Sequence, residues 1–297
     1  MPLNDDVANA DAEPDAAVNK NPDDPLPSDQ PVTTSVRGTY RLLKSHGGYA
    51  AFLRGFGCIV VYGVAQSIVY GILSSLLPRV LAPFATILSM LCVVQLGAAW
   101  VHIIITPKSP LHFWQRLPPF GKTFRATYAA TLLYFVAKEA SAYAPYLVAK
   151  ICGLTIPDFS KPHEEWGEDY GDSKKSWVVV PIVLTSIVTW ALLQIPSRVV
   201  LVRIQASLLP PEAHTIVPFD RSFGGRVEPV VVGGKGYATI KEAIATFGLG
   251  SWKRLYMMCI KIFMWWSLLV VAMSAIVMPQ LMLMKKFAPP TEGGGDN

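Results

Sequence analysis

The sequence contains few charged residues for its length. Of its 297 residues, 16% are charged and 52% are hydrophobic, whereas a soluble globular protein carries about 25% charged residues. The mean hydropathy is +0.36, and the apolar residues lie in long blocks that a soluble core does not need. This composition excludes an ordinary soluble domain and predicts an integral membrane protein.

Residues that would form a catalytic or metal site are also scarce. The four cysteines lie inside apolar blocks and show no C-x-x-C spacing, and the five histidines are scattered. His163-Glu164-Glu165 does not match a zinc-protease motif, and Gly233-Gly234-Lys235-Gly236 lacks the spacing of a phosphate-binding loop. We therefore expect no enzymatic activity, no cofactor, no metal and no nucleic-acid partner.

The first 35 residues contain few large apolar side chains and carry eight acids against one lysine. We expect this acidic segment to be disordered, because it cannot bury enough surface to offset the loss of chain entropy. The remaining chain is strongly basic, which is typical of Lys and Arg flanking membrane helices. Attraction to anionic lipid or to an anionic solute is the other explanation. Residues 36–286 are predicted to form the membrane domain and residues 287–297 a flexible tail.

Five apolar blocks predict five transmembrane helices in an all-α fold, with the two termini on opposite sides of the membrane. Each block approaches or exceeds the ~20 residues that cross ~30 Å of hydrocarbon. Short amphipathic segments before Gly48 and Gly248 are predicted to lie flat at the interface. The blocks are 56–77, 80–105, 124–151, 177–201 and 256–284.

The third block carries a polar face. Its polar residues follow spacings of four, three, four and three, which place them on one side of a helix. Such a face is expected to look inward or onto water. With polar residues of the second and fifth blocks this face forms a candidate polar cavity, although a structural contact of Lys138 and Glu139 with neighbouring helices is an equal alternative. The candidates are Thr127, Thr131, Tyr134, Lys138, Glu139, Ser141, His102 and Lys261.

The end of the fourth block resembles a motif of the mitochondrial carrier family. In that family the odd-numbered helices end in Pro-x-Asp/Glu-x-x-Lys/Arg-x-Lys/Arg-x-Gln. Pro196, Arg203 and Gln205 match it in type and spacing, whereas Arg198 replaces the acid and Leu201 replaces the first base. One arginine is expected to reach a water-filled interior and the other to extend to the interface.

A second similarity lies before the first and fifth blocks. Gly48, Phe52 and Arg54 precede the first block, and Gly248, Trp252 and Arg254 precede the fifth, 200 residues later. Carrier proteins are built from three repeats of about a hundred residues, so this offset is that of two repeats. The resemblance implies a mitochondrial-carrier-like helical bundle in which the five blocks correspond to helices two to six and helix one is missing.

The departures from the carrier pattern bear on function. The family closes its gates with acid–base pairs, but Arg198 replaces one acid, and Tyr146-Leu147-Val148-Ala149-Lys150 lacks the acid of the even-helix motif. The chain therefore resembles non-transporting relatives of the mitochondrial outer membrane. We expect a scaffold, insertase or adaptor that contacts the bilayer and other membrane proteins or client helices, with the outer membrane favoured over the inner. A divergent solute carrier for an anionic metabolite, and a supernumerary subunit of a membrane complex, are the alternatives.

Overall fold

The computed structural model describes residues 36–153, 177–217, 219–228 and 233–287, and these contain helices and no strand. The predicted disordered segment 1–35 lies outside the described residues. Phe287, the first residue of the predicted tail, ends the last helix, and the rest of that tail lies outside the described part of the chain. The helices are α1 Val36–Ser45, α2 Phe56–Leu76, α3 Ala82–Cys92, α4 Val94–Ile105, α5 Phe120–Ile151, α6 Val179–Thr189, α7 Ile195–Ser207, α8 Ile240–Ala245 and α9 Leu249–Phe287.

The second apolar block forms two helices rather than one. Helices α3 and α4 meet at Val93 and are bent by 51° relative to each other. Helix α2 packs against both of them, and its residue Cys58 is buried. Before α2, Gly55 has a φ of +80°, and a Cβ atom there would lie 3.1 Å from the Trp100 ring of α4. Glycine is therefore required both by the backbone conformation and by the close approach of α4.

Helix α5 lies at the centre of the bundle and packs against α3, α4, α6 and α7. Small residues, including Ala126, Ala130 and Ala137, fill its buried positions. Small side chains let neighbouring membrane helices approach closely, so that packing contacts replace the hydrophobic driving force that lipid does not provide.

The fourth apolar block contains a π-helical turn, Trp190–Gln194, between α6 and α7. The turn precedes Pro196 and ends with the amide of Ile195 donating to the carbonyl of Trp190, five residues earlier. Proline removes a backbone donor, and its ring clashes with the carbonyl four residues before it. A local widening of the helix relieves that clash. The irregularity that Pro196 introduces is therefore this π-helical turn inside the continuous segment Val179–Ser207.

Helix α9 is held by its first two turns. Trp252 packs edge-on against Phe247, with ring centroids 4.7 Å apart, and the Tyr256 hydroxyl donates to the carbonyl of Ala191 at 2.8 Å. From Ile260 to Gln280 the side chains are exposed, apart from the half-buried Ser267. The apolar surface of α9 therefore faces the surroundings of the described bundle rather than its interior.

Three helical segments are long and apolar enough to cross a membrane, and the bent pair α3–α4 is a fourth if it counts as one span. The segments are Gly48–Leu76, Val179–Ser207 and Leu249–Gln280. The prediction of five spans is not confirmed, because α5 is not among these candidates. It carries Lys122, Arg125, Lys138, Glu139 and Lys150, which lower its hydropathy.

The segments before α2 and α9 differ in conformation. Residues 48–53 form a 3-10 helix, and Gly48 has a φ of +60°, whereas α9 begins directly after Gly248. Their arginines also differ, because Arg54 bonds the carbonyls of Thr106 and His46, each at 3.0 Å, while Arg254 bonds the Ser251 hydroxyl at 3.0 Å. The predicted internal repeat is therefore not confirmed.

Candidate functional site

Helices α4 and α7 are joined by a buried polar contact. The Nε2 of His102 donates to the backbone carbonyl of Gln205 at 2.8 Å, and both residues are buried. His102, a predicted cavity residue, therefore contacts Gln205, a residue of the carrier-like motif. A buried, hydrogen-bonded histidine of this kind stabilises packing between helices. We assign His102 to helix packing rather than to the cavity surface.

The polar face of α5 changes from buried to exposed along the helix. Thr127 and Thr131 are 0% and 4% exposed, Tyr134 is half-buried, and Lys138 is exposed. These four residues share one side of the helix because their spacings are four, three and four residues. Neighbouring helices therefore cover the first half of this face, and the face opens at Lys138. We call residues Thr127, Thr131, Tyr134 and Lys138 the polar face of α5.

Glu139 does not pair with Lys138. It lies about 100° around the helix from Lys138 and is half-buried. Within the part of the chain that the structure describes, the two residues form no ion pair. Lys138 is thus exposed on the polar face and is not neutralised by Glu139.

Two further predicted cavity residues lie elsewhere. The Ser141 hydroxyl donates to the carbonyl of Ala137 at 2.7 Å and to that of Thr189 at 3.2 Å, so it joins α5 to α6. Lys261 lies on the exposed surface of α9. The structure does not bring Lys261 together with the polar face of α5, because α9 contacts the bundle through its first turns.

Arg198 lies against two aromatic rings. Its guanidinium carbon is 5.7 Å from the ring centre of Trp100 and 5.2 Å from that of Tyr134. The side chain lines a narrow cavity of about 30 Å³ together with Tyr62, Thr131 and Gln205. The sequence identified Arg198 as a departure from the carrier motif but did not indicate Tyr62 or Trp100, because aromatic residues inside apolar blocks give no signal of their own.

Arg203 holds the connector after α7 against the bundle. Its guanidinium carbon lies 5.0 Å from the ring centre of Phe223 and 5.1 Å from that of Phe247, and its Nη2 donates to the Thr246 hydroxyl at 2.7 Å. Cation–π contacts with two rings and a hydrogen bond hold this guanidinium group in place. The two arginines of the motif have separate surroundings: Arg198 lines the cavity, and Arg203 packs against Phe223 and Phe247.

A hydrogen-bonded loop positions Phe223. The Asp220 carboxylate accepts hydrogen bonds from the Ser222 hydroxyl at 2.6 Å, the Gly224 amide at 2.6 Å and the Ser222 amide at 2.8 Å. These bonds, the one from the Ser222 hydroxyl most of all, lower the pKa of the Asp220 carboxyl. Phe223 has a φ of +50° and is buried. The loop thus holds a non-glycine residue in the left-handed region so that its ring covers Arg203.

We predict that Asp220→Ala will make the connector between α7 and α8 more sensitive to proteases. The variant loses the three hydrogen bonds that the Asp220 carboxylate accepts, so the loop should open more often and be cleaved faster. Because folding lowers the pKa of Asp220, the carboxylate stabilises the loop fully above its ordinary pKa, and this stabilisation is lost as the pH falls through the lowered value. Glu212→Ala, which removes an exposed acid of the same connector, is the control. Equal cleavage rates in the two variants would contradict the prediction.

Comparisons with protein-family models, with curated proteins and with solved structures give no match to this chain.

Proposed function

We propose that the protein is a multi-pass mitochondrial membrane protein with a degenerate carrier-like fold, in the outer membrane rather than the inner. We propose further that it does not exchange solutes but receives client membrane helices, as an insertase or adaptor. The observation that carries this proposal is the polar face of α5, which is buried at Thr127 and Thr131 and open at Lys138. An open polar face beside an apolar bundle suits a segment that is passing from water into lipid.

The arrangement of the helices supports a bundle that is open on one side. Helix α2 packs against α3 and α4, the central helix α5 follows, and α6 and α7 pack against α5. Helix α9 is then held through Tyr256 and Trp252. A six-helix carrier closes into a ring, whereas a chain that lacks helix one has a gap between α2 and α9. A client helix would enter the bundle through that gap.

The surroundings of Arg198 support the absence of alternating access. In a carrier an acid at this position pairs with a base on another helix and closes the gate. Here Arg198 packs between Trp100 and Tyr134, and Lys138 lies one helical turn beyond Tyr134 on the same face. Two cations in these positions repel each other and cannot form the pairs that open and close a carrier.

Insertion into liposomes tests the proposal. The purified protein is reconstituted into liposomes, and insertion of a single-helix client into these liposomes is compared with its insertion into empty ones. One client carries an acidic residue in its apolar segment, and a second client carries glutamine at that position. We expect faster insertion of the acidic client and no uptake of small dicarboxylates. Client insertion equal to that of empty liposomes would reject the insertase proposal.

A divergent solute carrier for an anionic metabolite is the second candidate. The observation that favours it is Arg198 in the wall of a cavity, with Lys138 one helical turn beyond Tyr134 on the polar face of α5, because cations attract anionic solutes. The same liposomes separate the two functions, since a carrier would take up labelled anions without inserting the client.

A supernumerary subunit is a third, weaker candidate and rests on the exposed apolar surface of α9. Co-purification of the protein with a stable membrane complex in stoichiometric amount would support it.

We predict that α5 crosses the membrane, so that the chain has five spans and its termini lie on opposite sides. A polar helix is tolerated in a bilayer when protein surrounds it, and α5 packs against four other helices. Protease treatment of sealed mitochondria that carry one tag at each end is the measurement. Cleavage of both tags from the same side would show that the number of spans is even.

A further inference from the structure

We propose that the cavity at Arg198 is a binding site for a single carboxylate group. The cavity lies where α2, α3, α4, α5 and α7 meet. This site goes beyond the proposed insertase function and does not rest on it, because it depends only on how these helices pack.

The guanidinium group of Arg198 is fixed in place by aromatic rings. Trp100 and Tyr134 lie 5.7 Å and 5.2 Å from its central carbon. Aromatic rings attract the cation without using its N–H donors, which point along the edge of the guanidinium plane. Within the described part of the chain, Arg198 has no hydrogen-bond acceptor and no acidic partner. Its fork of donors therefore suits the two oxygens of a carboxylate.

The other polar groups of the cavity wall can also donate hydrogen bonds. Tyr62 and Thr131 contribute hydroxyl groups, Gln205 contributes an amide, and the residues that line the cavity include no Asp or Glu. Gly97 makes room for the amide, since a Cβ atom there would lie 3.3 Å from the Nε2 of Gln205. A wall with one cation, several donors and no carboxylate selects an anion over a cation or a neutral solute.

The size of the cavity limits what can enter it. Its volume is about 30 Å³, and one water needs ~10–15 Å³ of such space. The cavity therefore holds one carboxylate group and not a whole metabolite. That group can belong to a free small acid or to the end of a fatty acid that extends toward lipid. The shared chemistry is the carboxylate, and the experiment distinguishes the two sources.

Thermal unfolding of the purified full-length chain in detergent tests the site. Acetate is the probe for a free small acid and oleate the probe for a fatty acid. We expect one of them to raise the midpoint of unfolding in a saturable way, as a ligand that binds the folded state does. In Arg198→Met, binding should weaken about tenfold or more, because a charge-assisted hydrogen-bonded pair is lost. Arg125→Gln removes an exposed arginine of α5 and should leave the response unchanged.

A second variant keeps the experiment decisive if Arg198→Met does not fold. Gly97→Ala retains the arginine and narrows the cavity beside Gln205, so it should weaken binding of the same probe. A saturable response to acetate identifies a small-acid site, and a response to oleate alone identifies a fatty-acid site. Absence of a saturable response to both probes would overturn the proposal. Equal responses in the unaltered chain, Arg198→Met and Gly97→Ala would overturn it as well.

Discussion

Ile204→Ala should lower the free energy of unfolding by about 2–5 kcal/mol, the range for a large-to-small change in a packed core. Ile204 has no exposed surface. It lies in the core where α5, α7 and α8 meet, and this cluster also contains Ala126, Ala130, Val200, Leu201, Leu208 and Ala243. In a bilayer, packing contacts hold helices together, so the cavity left by the missing side chain accounts for the loss. The measurement is reversible unfolding by a denaturing detergent in mixed micelles.

Ile187→Ala is the matched control for this prediction. Ile187 lies on α6 of the same apolar block and is 43% exposed, so its replacement leaves a smaller gap. We expect this variant to lower the free energy of unfolding by no more than about 0.5–1 kcal/mol. If the two variants lose equal stability, the core formed by α5, α7 and α8 does not determine the stability of the bundle.

Lys138→Leu should leave the abundance of the protein unchanged or higher and lower the rate of client insertion about tenfold or more. A lone ammonium group near the middle of a membrane helix costs ~2.5–3.5 kcal/mol on insertion scales, and Lys138 makes no ion pair with Glu139 to offset that cost. Removal of the charge therefore stabilises the fold. It also removes the cation that would bind an acidic client by a charge-assisted contact. Immunoblots and the liposome assay give the two measurements.

The double variant Lys138→Leu, Glu139→Leu provides the control for this result. If Lys138 served the fold through Glu139, the single variant would be scarce, and the double variant would return to full abundance and full activity. That outcome would reject the proposal that the polar face of α5 receives client helices. The expected outcome is full abundance in both variants and reduced insertion in both, because the function depends on the ammonium group and not on the pair.

The polar face of α5 shows how far periodicity alone identifies a site. Spacings of three and four residues placed Thr127, Thr131 and Lys138 on one side of a helix, and the structure bears this out. Periodicity did not indicate that the first two are buried and the third exposed. That difference depends on where α4 and α7 cross α5, and helix crossing is set by side chains that are distant in sequence.

The arginines of the fourth block give a second example. Their spacing predicted that Arg198 and Arg203 point in different directions, and the structure gives them different surroundings. Local sequence also accounts for the π-helical turn before Pro196, since a proline in a helix interferes with the turn that precedes it. The partners of the arginines could not be predicted. Trp100 and Phe223 are each about 20 residues or more from the arginine that they contact and lie on other segments.

The helical class and the presence of helices apolar enough to span a membrane could be predicted from the amino-acid sequence, because the length and hydropathy of each block depend on local composition. The residues that share a helical face could be predicted as well, because helical periodicity is local. The bend at Val93 became visible only in the folded chain, in which three helical segments, or four with the bent pair α3–α4, are apolar enough to span a membrane and α5 is not among them. Only the fold shows that Ser141 and Lys261 lie apart from the cavity at Arg198, and that Tyr62 and Trp100 line it. A cavity is formed by side chains from several helices, and the packing of those helices depends on contacts between residues far apart in the chain.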